Sequence, residues 1–373
     1  MSAEPQKRLY IDALRGWAIL LVVLTHAAQG QFAIDALGQA QPHSVVLALP
    51  EWLHQICAAA GAGVDLFFVV SALSLTLSWQ ARGEAGWRDY LIRRFFRIAP
   101  MFYAGVVLYL ALYGWGPRLY APNGIGPGDV ALTLGFVHVW STQALNSVVP
   151  GDWSIGVEAM FYLILPLLLT FGWTRLRLAT LTAGFVLLSQ AMHWYGAPFG
   201  PLGIAGFPSQ AGVFLFGLCA AWHASGHRHA HAQFGGLAVP VFLFLVAGLP
   251  LAHLPEGVLA YHLQFAIVAG LLCVLLERGA PRLMVNQPIA RLGRISFSLY
   301  VLHFALFAPV FALARYLAPG WRGPALLALY YPLLLAAAIA AAAVTYAAIE
   351  RPGMRLGRVI VARLGRHLAL ERA

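Results

Sequence analysis

The chain has 373 residues, 60% of them hydrophobic and 10% charged, with a formal net charge of +10. Soluble domains carry about 25% charged residues, so an ordinary soluble enzyme is excluded and an all-α, polytopic membrane bundle is expected. The charge does not point to nucleic acid, because the arginines gather at the ends of apolar runs, the pattern of positively charged cytoplasmic loops.

The first element, from Lys7 to Gln29, reads KRLYIDALRGWAILLVVLTHAAQ. Two basic residues lead into a run long enough to cross a bilayer. No small-residue cleavage site and soluble mature chain follow it, so it reads as a retained span and not a signal peptide. It carries Asp12, Arg15 and His26. An ionisable group at bilayer depth costs about 2.5–3.5 kcal/mol on insertion scales, so it faces protein or water and has a function. Arg15 and His26 are eleven residues apart, close to three whole turns at about 100° per residue, so both lie on one stripe about 16 Å apart along the axis. A cationic anchor and a base or nucleophile on one stripe suit a long, thin ligand. The bland readings are a histidine that bonds a neighbouring helix and an arginine that snorkels to headgroups.

Residues 31–55 lack Lys and Arg and read as an outer loop. A second span, residues 56–79, contains GVDLFFVVSALSLTLSW with the intramembrane acid Asp65. Arg82, Arg88, Arg93, Arg94 and Arg97 then form a basic inner segment before a third span at 98–114. In RRFFRIAP, Arg93 and Arg97 are one turn apart, and arginine forks suit phosphate oxygens. After the Gly/Pro-rich YGWGPRLYAPNGIGPG, residues 129–145 are apolar but short and hold His138, Gln143 and Asn146, and they are counted as non-spanning.

The next span, 150–172, carries GDWSIGVEAMFYLILP, in which Ser154, Glu158 and Tyr162 recur every fourth residue on one face. Spans at 178–195, 209–224, 235–253, 258–276, 295–316 and 324–348 complete a set of ten, with both termini cytoplasmic. Of the 24 Lys and Arg, only Arg118, Arg315 and Arg322 then fall outside, and Arg15 lies within. Residues 1–373 form a single transmembrane domain with cytoplasmic ends at 1–8 and 353–373. No internal repeat supports an inverted-repeat transporter. The HRHAH cluster, with His227, His229 and His231, lacks a nearby acid or cysteine and reads as a solvated loop, so no metal is expected. Cys57, Cys219 and Cys273 are scattered and give neither a disulfide framework nor a metal site. RISFSLYVLHFAL adds Tyr300 and His303 in another span, and IERPGMR ends the last one.

The ordered set LRGWAILLVVLTHA, GVDLFFVVSALS, RDYLIRRFFRIAP, WSIGVEAMFY, ISFSLYVLHF and ERP resembles the acyltransferase family 3 membrane proteins over residues 8–352. Each motif is weak alone; their order is the signal. The family's Arg, ten residues, His maps onto Arg15 and His26, its basic motif onto Arg93, Arg94 and Arg97, and its Ser-x-x-x-Glu-x-x-Phe-Tyr onto Ser154, Glu158, Phe161 and Tyr162. The resemblance implies transfer of an acyl group, usually acetyl from cytoplasmic acetyl-CoA, to a hydroxyl of a sugar or other acceptor. Two features depart from the family: Ser71-Ala72-Leu73 stands where Ser-Gly-Phe is usual, and no esterase-like domain is appended. A separate periplasmic or glycan-assembly protein is therefore an expected partner, beside the lipid bilayer, the acyl-CoA and a glycan acceptor.

On this reading Arg15, Arg93, Arg94 and Arg97 hold the donor, His26 acts as base or nucleophile, and Glu158 orients or charges the site. Asp12 and Asp65 are rivals to Glu158 as the partner of His26. Asp65, Ser154, Tyr162, Tyr300 and His303 are candidates for substrate binding. The scarcity of lysine among many Ala, Gly and Arg residues suggests a GC-rich bacterial source and hence the bacterial inner membrane. The different-class alternative is a proton-coupled transporter or flippase, whose relay would also use buried His, Asp, Glu and Arg.

Overall fold

The computed structural model describes residues 3–29, 48–81, 86–118, 120–170, 174–196, 203, 205–226, 236–252 and 259–370. The HRHAH cluster, most of the expected loop at 31–55, and Arg82 lie outside them. The described chain is helical, with no β-strand among the described residues. Its helices are α1 (Ala3–Gln29), α2 (Glu51–Ala59), α3 (Gly63–Gln80), α4 (Trp87–Tyr113), α5 (Pro127–Leu134), α6 (Trp153–Thr170) and α7 (Arg175–Tyr195). They continue with α8 (Phe207–Gly226), α9 (Ala238–Leu251), α10 (Tyr261–Arg278), α11 (Gln287–Arg294), α12 (Ser296–Leu317), α13 (Gly323–Thr345) and α14 (Arg351–Leu370).

Seven of the described segments are long and apolar enough to cross a membrane: Leu9–Gln29, Glu51–Gln80, Trp87–Tyr113, Trp153–Thr170, Tyr261–Arg278, Ser296–Leu317 and Gly323–Gly365. The expected ten is thus reached only in part. Helices α7 and α8 have the length, but Arg175, Arg177 and His193 in one and Gln210 and His223 in the other dilute their hydropathy. Helix α9 is shorter and is interrupted by a π turn at Phe244–Gly248, just before Pro250. Residues 129–145 form no span. Helix α5 has eight residues, and a 3₁₀ turn at His138–Trp140 follows.

In lipid, helices gain little from hiding apolar surface and associate through close packing and polar contacts. Small residues supply the close packing. A Cβ on Gly293 would overlap the Asp12 carbonyl, and one on Gly16 would overlap the Ile289 carbonyl, so α1 and α11 cross with backbones touching. Gly217 of α8 lies as close to the Val69 carbonyl of α3. Helix α1, buried through Ala13, Leu14, Ala18, Ile19, Val22 and Val23, is the column on which α3, α11 and α12 pack.

At the C-terminus, α13 runs through a π turn at Tyr346–Glu350 into α14. Pro352 cannot donate to the carbonyl one turn back, and the wider turn sits where that bond is missing. The stretch expected as a basic tail is therefore a continuing helix, and it packs on α4 through Gly353 and Gly357 against Pro100 and Phe96.

Candidate active site

Between α1, α3, α4, α6 and α12 lies a half-open cavity of about 80 Å³. Its wall includes Arg15, Arg94, Arg97, Glu158, Tyr162, Ser154 and Tyr300, against the apolar Val64, Phe67, Phe68 and Leu75 of α3. Guanidinium groups, a carboxylate and hydroxyls thus converge on one cavity between apolar helices.

The arginines differ in their commitments. Arg15 donates to Ser74 Oγ at 2.7 Å and lies 3.7 Å from Asp12. Asp12 in turn meets Arg294 of α11 at 3.6 Å. Arg97 forms an ion pair with Glu350 in the π turn, whose other oxygen accepts from Ser298 at 2.6 Å. Arg94 pairs with no carboxylate among the described residues; its guanidinium lies over the Tyr90 ring at 5.8 Å, and its buried Nε makes no hydrogen bond. Arg93 is not among the residues lining the cavity. Of the three arginines in RRFFRIAP, Arg94 and Arg97 therefore share the cavity with Arg15, and not the one-turn pair that the sequence spacing favours.

Glu158 sits opposite them. Its Oε1 accepts from Tyr162 at 2.7 Å and from Ser71 of α3. The every-fourth-residue stripe of α6 therefore faces the cavity as expected. Its start is fixed by a turn of polar residues. Asn146, held at φ 59°, accepts the Trp153 amide at 3.3 Å, while Asp152 Oδ1 accepts the Asn146 amide at 2.8 Å. His138 donates to the Asp152 carbonyl at 3.0 Å, and its ring packs on Phe102 of α4. Gly151, at φ 79°, brings its carbonyl under Tyr300, whose hydroxyl donates to it at 2.8 Å. The Ser154 and Tyr300 hydroxyls lie 2.7 Å apart, and both reach the Gly151 carbonyl.

The imidazoles lie beyond this wall. His26 Nδ1 is 2.9 Å from His303 Nε2, and His303 Nδ1 donates to the Tyr300 carbonyl at 2.6 Å. Phe304 packs on the His26 ring with centroids 4.7 Å apart. Neither histidine lines the cavity, so Tyr300 stands between the cationic chamber and the histidine pair: its hydroxyl faces one and its carbonyl holds the other. No hydrogen bond joins His26 to Glu158, Asp12 or Asp65; its partner on α12 is an imidazole. Asp65 is buried in the first turn of α3, outside the cavity lining and without a polar partner among the described residues.

Sequence reasoning missed Ser71, Ser74, Ser298 and the buried carboxylate of Glu350. The signal for the first two was present, since they are polar residues three apart in an otherwise apolar run. Glu350 stood in the ERP motif, but nothing in the sequence brings it to Arg97.

A family model described as an acyltransferase domain, of the acyltransferase 3 type, matches residues 8–347. No curated protein and no solved structure matches the chain.

Proposed function

We propose, for a chain that belongs to the acyltransferase family 3 of membrane proteins, that it moves an acetyl group from acetyl-CoA to a hydroxyl of a glycan. The observation that carries the reading is the cationic cavity beside a histidine on the same helix as one of its arginines. Arg94, half-buried and without a carboxylate partner among the described residues, fits a phosphate of the donor. Arg15 and Arg97 set the potential around it, and Arg15 lies about three turns from His26 on the same stripe of α1. Glu158, clamped by Ser71 and Tyr162, fixes the charge balance of the chamber. Ser154 and Tyr300, which line the cavity, flank the path toward the acceptor.

In the reaction the acceptor oxygen attacks the thioester carbonyl and its proton passes to His26. The C–S bond then breaks, and the CoA sulfur leaves with that proton. General-base transfer of this kind contributes about 10²–10⁴-fold. A hydroxyl acceptor on an extracytoplasmic or lipid-linked glycan, a site in the bacterial inner membrane, and help from a separate glycan-assembly protein belong to the same proposal. So does a single domain over residues 1–373.

The test uses purified, folded protein in detergent with acetyl-CoA and an oligosaccharide acceptor, following CoA release and acetyl transfer. His26→Gln keeps a polar side chain but takes up no proton. Its turnover is expected to fall by two orders of magnitude or more, with acetyl-CoA binding retained. Turnover within a few-fold of wild type would make His26 a packing residue. No CoA release by wild type, together with a proton flux in vesicles, would favour the transporter reading.

A further inference from the structure

Two bonds of the histidine pair settle where its protons are. A backbone carbonyl only accepts, so the 2.6 Å contact between His303 Nδ1 and the Tyr300 carbonyl requires the proton of His303 on Nδ1. In a ring with one proton, Nε2 of His303 then carries the lone pair. That nitrogen lies 2.9 Å from His26 Nδ1, which must therefore supply the proton of this contact. The lone pair of His26 is left on Nε2. The rings are nearly parallel, at 20°, with Phe304 and Phe307 packed around both, so neither ring turns over without displacing an aromatic side chain.

We propose that His303 is a positioning residue: through the chain Tyr300 carbonyl, His303, His26 it holds His26 in the tautomer whose Nε2 accepts the proton of the reacting hydroxyl. This rests on the acyltransferase reading for its purpose, although the tautomer itself does not. The arrangement is the neutral counterpart of a carboxylate behind a catalytic histidine. When Nε2 gains the proton, His26 becomes an imidazolium that still donates Nδ1–H to His303, and the charge is shared along two rings. When the CoA sulfur takes that proton from Nε2, the pair returns to its starting state. Orientation by a partner on the far nitrogen is how a base histidine is kept in the productive tautomer.

Two substitutions separate this from a packing role. An Asn at 303 places its amide where Nδ1 was, so it keeps a bond to the Tyr300 carbonyl but does not reach His26. A Gln places its amide where Nε2 was and offers His26 an acceptor. In histidine-¹⁵N-labelled full-length protein, with the His26 signals identified by their loss in His26→Gln, wild type is expected to show Nδ1 protonated and Nε2 unprotonated. His303→Asn is expected to mix the two forms and to lower acetyl transfer at least tenfold. His303→Gln should hold the wild-type tautomer and recover most of that loss. A wild-type His26 protonated on Nε2, or equal activity in the Asn and Gln variants, would overturn the inference. If wild type transfers no acetyl group but shows the expected tautomer, the functional reading fails and the assignment stands.

Discussion

At the residue scale, the Arg15–His26 stripe was legible because both residues sit on one helix and helical geometry fixes their relation. Their partners were not. His303 is 277 residues from His26, and which imidazole or carboxylate meets it depends on how α1 and α12 pack. The arginines show the same limit from another side. In RRFFRIAP three cations are available, and the rotation of α4 in the bundle, not their spacing, decides which enter the cavity. That choice changes the test of donor binding. Arg97 is tied to a buried Glu350, so Arg97→Ala strands a carboxylate. Breaking a buried pair from one side costs about 3–5 kcal/mol. We expect Arg97→Ala to lower the thermal midpoint strongly, and any lost affinity to be inseparable from that. Arg94→Ala strands nothing. It is expected to leave the midpoint near wild type and to weaken acetyl-CoA binding about ten- to a hundred-fold, the worth of one charge-assisted hydrogen bond at about 1.5–3 kcal/mol. Calorimetric titration of both variants checks this. Unchanged affinity in Arg94→Ala would leave the basic motif with no more than a topological role.

At the element scale, hydropathy located the long helices well, because a bilayer-length apolar run has few alternatives. It did not locate the features that make the site. The π turn that presents Glu350 hides inside an alanine-rich helix, and ERP reads as a helix end. The crossing of α1 with α11 depends on Gly16 and Gly293, two glycines that no periodicity marks. Its consequence is measurable. A methyl at Gly293 must push the α1 backbone away at Asp12, the residue that joins Arg15 to Arg294. Overpacking of this kind costs about 1–3 kcal/mol. Gly293→Ala is therefore expected to lower the thermal midpoint and to weaken donor binding with it. Gly184→Ala, on an open face of α7, meets nothing within 4 Å and should leave both unchanged. Equal midpoints for the two variants would mean that the α1–α11 contact yields without cost.

At the scale of the whole molecule, the arginine asymmetry and the helix inventory make different demands. Ten crossings with both ends cytoplasmic need α7, α8 and α9 to cross, yet only seven described segments have the length and apolarity to do so unaided. Packing bears on the difference. Helix α8 lies against α3, α7 and α10, so its polar residues at each end are covered by protein, and neighbours relieve the hydropathy that a lone span would need. Helix α7 packs mainly on α8, with Arg175 and Arg177 at one end and His193 near the other. On the ten-crossing reading its cationic end belongs with the cytoplasmic arginines. We expect reporters fused after Ala373 and after Gly226 to be active on the cytosolic side, and one fused after Gly196 to be active on the opposite side. The same side for Gly196 and Gly226 would mean that α7 and α8 do not cross as a hairpin. A non-cytosolic signal after Ala373 would shift the count by one, and the placement of Arg94 at a cytoplasmic donor site would fall with it.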